Sequence, residues 1–164
     1  MNQNELIKQK REVCAVGGEA LSLSVLCDSI GTMGLPEPLI VHEDATVRDC
    51  VALFRTSSAG GVCIVDEKGH LVGIFTERDC VVRVMDAGVS PDTPVVEVMT
   101  KDPQSQEPDA TIAFALTLMS HGGFRHLPIV HDKTPIGMLS VKNVVDFLVE
   151  KIMSGMIDNL ELAE

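Results

Sequence analysis

Apolar residues recur at helical spacing in two stretches of the chain and as short continuous runs in four, and the order is the same twice over. Val47, Val51 and Phe54 follow Thr46 at intervals of three and four, and Ile112, Leu116 and Met119 follow Thr111 in the same way, so each set marks one face of a helix. Each threonine can cap its helix, because its side-chain oxygen can accept from a backbone N–H of the first turn. A glycine-containing break follows each helix, then a short apolar run (VCIV, LPIV), a polar turn (DEKGH, HDKTP) and another apolar run (LVGIF, IGML), the pattern of a β-hairpin. Thr76 and Ser140 then stand where they can cap a second helix, predicted over 77–86 and 141–153. Short first strands are predicted near Pro38–Val41 and Gln104–Gln106, which makes the unit strand–helix–strand–strand–helix.

The two units are one sequence used twice. Residues 42–84 lie over 106–148 with a single-residue gap: Asp44-Ala45-Thr46 on Asp109-Ala110-Thr111, Leu53 on Leu118, Ile64-Val65 on Ile129-Val130, Gly73 on Gly137, and Val81 on Val145. Between the copies, MDAGVSPDTPVVEVMTKDP is a linker punctuated by Gly88, Pro91, Pro94 and Pro103, with VVEVM as a short helix. The segment ending in VMT introduces the second copy, and SVLCDSIGTM (24–33) is its weaker counterpart before the first. In order, spacing and duplication the chain resembles a tandem pair of CBS domains, a Bateman module, over roughly residues 24–150. The resemblance implies an α/β fold of two β-α-β-β-α CBS repeats packed with pseudo-twofold symmetry into one module. It divides the chain into an N-terminal extension (1–23), repeat 1 (24–90), repeat 2 (91–150) and a C-terminal helical extension (151–164). Outside the repeats, ELIKQKREV and VEKIMSGMIDNLELAE can both be helical, the second continuing the last helix of the repeat.

Composition narrows the function. With 45% apolar residues, five Phe and neither Trp nor Tyr, the core is built from Val, Ile, Leu, Met and Ala, and no aromatic stacking platform is available. A balance of 24 acidic against 13 basic residues gives a formal charge of -11, which repels nucleic acid and anionic membranes, so neither is an expected partner. At the N-terminus the charges precede an apolar stretch that Gly17, Gly18 and Glu19 interrupt, and no apolar run approaches spanning length. The five cysteines (Cys14, Cys27, Cys50, Cys63, Cys80) show no ligand spacing, and scattered thiols suit a reducing cytoplasm, the expected location.

The segment with most chemistry is Gly73-Ile74-Phe75-Thr76-Glu77-Arg78-Asp79, which leaves a strand and opens a helix with a hydroxyl and a carboxylate three apart. Free N–H groups at a helix start attract an anion, and one carboxylate can accept from both hydroxyls of a ribose. Thr-x-x-Asp at a helix start is also close to a capping box, and the two roles are compatible if the carboxylate turns outward when a ligand arrives. In CBS proteins this motif looks like the reader of the ribose in adenosine ligands. Carried over position by position, the resemblance assigns one cleft to Thr76 and Asp79 with the Asp109-Ala110-Thr111 region and Phe124-Arg125-His126-Leu127-Pro128. Its ligand-binding residues are thus Thr76, Asp79, Arg125, His126, Pro128 and Thr111, with Arg125 suited to a phosphate because its guanidinium fork matches phosphate oxygens. The opposite, weaker cleft takes Ser140 and Asn143 with Gly60, Gly61 and Thr46. There Asn143 replaces the family's aspartate, and an amide offers one neutral acceptor oxygen in place of two charged ones.

Of His42, His70, His121, His126 and His131, three recur at intervals of five, which is neither a helical nor a strand face-sharing period, and each falls near a turn or loop, so no metal site is expected. No nucleophile elbow and no histidine tied to a partner by motif is present, so no enzyme is expected and no cofactor is required. The start at Met1 favours a self-contained chain over a fragment of an enzyme. The expected function is a non-catalytic sensor module binding AMP, ADP, ATP or S-adenosylmethionine between the repeats and regulating a partner protein. The alternative is a ligand-free scaffold for dimerisation or docking, to which Leu148, Ile152, Met153, Met156, Ile157 and Leu160 give an apolar side. The family's habit of packing two modules together makes a homodimer the expected assembly.

Overall fold

The structure, a computed structural model, describes residues 24–57 and 59–161, and the side chains of all of these except 152 and 155–161. The helix predicted in ELIKQKREV lies outside the described residues. The elements are strand β1 (Ile40–His42), helix α1 (Val47–Thr56), strands β2 (Gly61–Val65) and β3 (Leu71–Thr76), and a second helix, α2, that is α-helical over Glu77–Asp79 and π-helical over Cys80–Met85. Strand β4 (Thr100–Lys101), helix α3 (Ile112–Gly122), strands β5 (His126–His131) and β6 (Thr134–Ser140) and helix α4 (Val141–Glu161) complete the chain.

Contacts divide the chain into two compact units, each drawing on both repeats. One, residues 35–108 and 126–139, carries the sheets. Its four-stranded sheet runs β1-β2-β3-β4, with β1 parallel to β2 and the other neighbours antiparallel. Strand β2 is buried at every position, as its continuous apolar run GVCIV requires. Behind the sheet Val47 and Cys50 of α1 pack with Val62, Ile64, Phe75, Val84, Val95, Val98 and Met99, and Phe75 stacks on Phe54 with ring centroids 6.3 Å apart. Burying side chains of this size contributes about 1.5–3 kcal/mol each. Strands β5 and β6 pair with each other, and Gln106 makes a single parallel bridge to Ile129 where the sequence predicted a strand over Gln104–Gln106. Pro103 precedes this segment and Pro108 follows it, and neither has an N–H with which to lengthen the pairing beyond it. VVEVM is a 3-10 turn over Val95–Glu97, held by the backbone bonds of Val47 N–H to Thr93 O and Val95 N–H to Ala45 O.

The other unit, residues 24–34, 109–125 and from 140 onward, is helical. SVLCDSIGTM forms two 3-10 turns, Val25–Cys27 and Ile30–Met33, and binds the start of α3 through Ile30 N–H to Ala110 O at 2.8 Å and Ile112 N–H to Asp28 O at 3.0 Å. Ile30, Ile112, Ala115, Met119 and Val144 form its buried positions. Helix α3 ends at Gly123, whose φ of 66° is the left-handed conformation that glycine adopts without a side-chain clash. Helix α4 runs unbroken to Glu161, past 153 and into the stretch expected to continue it.

Candidate ligand-binding site

The three threonine caps expected from the sequence are in place. Thr46 and Thr76 each form a full capping box with an aspartate three residues on, and the Thr111 side chain accepts from Phe114 N–H. At Asp49 the hydrogen bonds from the Thr46 hydroxyl and backbone hold the carboxyl below its ordinary range.

At the Thr76 corner, β3 ends and α2 begins without a connecting residue. Asp79 Oδ2 accepts from the Thr76 backbone N–H at 2.9 Å and from its hydroxyl at 2.6 Å, while Asp79 N–H donates to Thr76 Oγ1 at 3.3 Å. The second carboxylate oxygen, Oδ1, lies 3.2 Å from Arg83 Nε, and the Asp79 side chain is only 13% exposed. A carboxylate that little exposed is balanced here by one guanidinium and two local donors.

Gly60, Glu77 and His126 meet beside this corner. Glu77 N–H donates to Gly60 O at 3.1 Å. A methyl group placed on Gly60 would stand 2.9 Å from His126 Nε2 and 3.2 Å from Glu77 Oε2, so a side chain there would displace the imidazole. Gly61 is in ordinary contact with the same imidazole. The sequence carry-over set Gly60 and Gly61 apart from His126; the structure puts all three together, because the start of β2 lies against the start of β5. Pro128 is fully buried within β5, and its carbonyl accepts from Gln106 N–H.

The remaining sequence-predicted residues belong to the helical unit. Thr111 caps α3 and pairs with Ser29 in an isolated bridge. Arg125 is exposed, and its carbonyl accepts from Val141 N–H at 3.2 Å. Ser140 and Asn143 reproduce the cap of the first repeat: Asn143 Oδ1 accepts from Ser140 N–H at 2.9 Å and from its hydroxyl at 2.5 Å, and Asn143 N–H donates to Ser140 Oγ at 3.1 Å.

Arg83 and Glu77 were not singled out from the sequence. The i,i+4 spacing of Asp79 and Arg83 on a helix is the signal that could have found the first. Nothing in the spacing of Gly60, Glu77 and His126 announces the second group, because they come from three separate elements. Burial pushes the thiols of Cys50 and Cys63 up to about 12, and Cys80 is also a free thiol, whereas Cys27 is disulfide-bonded and departs from the uniform thiols expected. Among the described residues no group of three or more His, Cys, Asp or Glu could hold a metal ion, and no helix is long and apolar enough to cross a membrane.

Known proteins match this architecture. The family model described as the CBS domain matches residues 30–86 and 95–150. An uncharacterised 17.7 kDa protein of Acidianus ambivalens is 30% identical over 68% of this chain and 67% of its own length. The CBS domain-containing protein CBSCBSPB2 of Arabidopsis thaliana is 32% identical over 69% of this chain but 21% of its own length. Among solved structures, the CBS-domain protein ATU1752 of Agrobacterium tumefaciens superposes with a TM-score of 0.66 at 27% identity, covering 73% of this chain and 92% of that one. PAE2072 of Pyrobaculum aerophilum, complexed with AMP, gives 0.66 at 18% identity over 76% of this chain and 98% of that one. The CBS domain pair of MJ0100, with 5′-methylthioadenosine and S-adenosylmethionine, gives 0.68 at 19% identity over 75% of this chain and 97% of that one. At the last two identities the likeness is one of fold.

Proposed function

Since the chain belongs to the CBS-domain family, we propose that it is a non-catalytic regulatory module that binds an adenosine-containing ligand at the Thr76–Asp79 corner. The observation that carries this reading is the corner itself: a strand runs straight into a helix whose first turn holds a nearly buried carboxylate beside a hydroxyl. Asp79 would accept from the ribose hydroxyls and Thr76 would hold its carboxylate in place, with His126 lining the same unit. The adenosine compounds bound by the structural relatives PAE2072 and MJ0100 support the ligand class. A purine nucleoside is the element common to AMP, ADP, ATP and S-adenosylmethionine, and a cytoplasm would supply all four.

The test is mass spectrometry of small molecules released from the purified, denatured protein, followed by calorimetric titration with AMP, ATP and S-adenosylmethionine. At least one should bind and be recovered unchanged. If none binds, the ligand-sensor reading is overturned.

One set of side chains favours a second reading, an assembly or docking scaffold. On α2, Val81, Val82 and Met85 are more than half exposed, and on α4 so are Val145, Val149 and Met153. Val81 and Met85 are the repeat equivalents of Val145 and Val149, so each second helix carries the same outward apolar stripe. Of the C-terminal apolar side expected from the sequence, Met153 is exposed and Leu148 half-buried, while 152, 156, 157 and 160 lie outside the described side chains. Apolar stripes of this kind suit a homodimer, for which light scattering should give about twice the chain mass of 17.7 kDa. A monomer at micromolar concentration would remove the dimer from either reading.

A further inference from the structure

Arg83 sits one turn beyond Asp79 and has two partners. Its Nε faces Asp79 Oδ1 at 3.2 Å, and its Nη1 donates to the Val98 carbonyl at 3.0 Å. Val98 ends the 3-10 turn of the inter-repeat linker, just before β4 returns to pair with β3 through Ile74 with Thr100 and Gly73 with Lys101. The guanidinium therefore bridges the corner carboxylate to the point where the linker rejoins the sheet. Asp79 is fixed from two sides: Oδ2 by the Thr76 donors and Oδ1 by Arg83.

The second repeat serves as an internal comparison. The positions equivalent to Asp79 and Arg83 are Asn143 and Phe147, so the acid and the base are absent together, although the cap itself is kept. If Arg83 served only to pack the helix, nothing would link its replacement to that of Asp79. The backbone differs as well. Helix α2 is π-helical over Cys80–Met85, the stretch that carries Arg83, whereas α4 is α-helical throughout. Widened turns of this kind are rare and concentrate at functional sites.

We propose that Arg83 is a positioning residue for the ligand site: it orients the Asp79 carboxylate for a ribose and, through Val98, ties that orientation to the linker between the repeats. The proposal rests on the reading of Asp79 as the ribose acceptor. Ligand binding at Asp79 is then felt at residues 98–101, which gives the module a route from occupancy to linker conformation.

The experiment is a calorimetric double-mutant cycle with AMP and with S-adenosylmethionine, using Arg83→Gln, Arg83→Lys, Asp79→Asn and the Asp79→Asn/Arg83→Gln pair. Hydrogen exchange of the backbone amides of 98–101 is followed with and without the same compounds. Arg83→Gln should weaken binding about tenfold, Arg83→Lys should restore most of it, and the pair should lose no more than Asp79→Asn alone. Added ligand should slow exchange at 98–101 in the wild type and not in Arg83→Gln. Additive losses, or a loss in Arg83→Gln matched by lowered thermal stability and not rescued by lysine, assign Arg83 to packing alone and overturn the proposal. If Arg83→Gln binds like the wild type while Asp79→Asn is weakened, the proposal falls and the ribose reading stands. If neither compound binds the wild type, both fall.

Discussion

The corner at Thr76 and the corner at Ser140 use the same cap and end in different chemistry. In both, a hydroxyl residue closes a strand and a side chain three residues on returns to its N–H and hydroxyl, at 2.9 and 2.6 Å in the first and 2.9 and 2.5 Å in the second. Asp79 keeps a second charged oxygen, paired with Arg83, where Asn143 has only the remaining amide nitrogen. Beyond it, the place of Arg83 is taken by Phe147, whose ring lies under Lys151 Nζ at 5.4 Å. Capping therefore needs only one acceptor oxygen, and both side chains supply it. What the duplication varied is the oxygen the cap does not use, and that is the atom a ligand could read.

The largest effect tests whether the two corners stand on equally firm ground. Phe75 and Leu139, each immediately before its cap, are fully buried. Phe75→Ala should cost about 3–5 kcal/mol and Leu139→Ala about 2–5 kcal/mol in urea unfolding. A loss below about 1 kcal/mol at Phe75 would mean that its stack on Phe54 is not the support the geometry implies.

Next comes affinity. Asp79→Ala should weaken an adenosine ligand by about 1.5–3 kcal/mol, roughly ten- to a hundredfold, and Asn143→Ala by much less. If capping were the whole role of Asp79, the same substitution would instead lower folding stability by about 0.5–2 kcal/mol and leave affinity for the folded protein unchanged. Titration beside thermal unfolding separates the two, and equal losses at Asp79 and Asn143 would erase the contrast between the corners.

The smallest effect uses the third cap, Thr46 with Asp49, at its carboxylate, since Asp49 is given no ligand role. Hydrogen bonds from Thr46 hold the Asp49 carboxyl below its ordinary value of 3.8, so the folded state binds its proton less readily than the unfolded chain. Its contribution is in force above that value and is lost as pH falls through the lower folded value. Asp49→Asn should therefore flatten the fall of melting temperature below about pH 4. An unchanged slope would place the acid sensitivity elsewhere, Asp66 being next, since backbone N–H bonds from His70 and Lys68 lower its carboxyl in the same way.

The order of elements and the caps were legible in the sequence because they are short-range properties. Helical spacing after Thr46 and Thr111, the paired apolar runs, and hydroxyl residues at helix starts each depend on residues within one or two turns, and duplication made every signal readable twice. The weak first strand at Gln104–Gln106 was harder, because edge pairing depends on neighbours more than on local pattern. The capping oxygens of Asp79 and Asn143 follow from spacing alone. That Arg83 reaches the Val98 carbonyl, and that Gly60 makes room for the His126 imidazole next to Glu77, was decided only by tertiary structure. These contacts join residues 15 to 66 positions apart, and no local propensity fixes which side chains the returning strands and linker will bring within a few ångströms of one another.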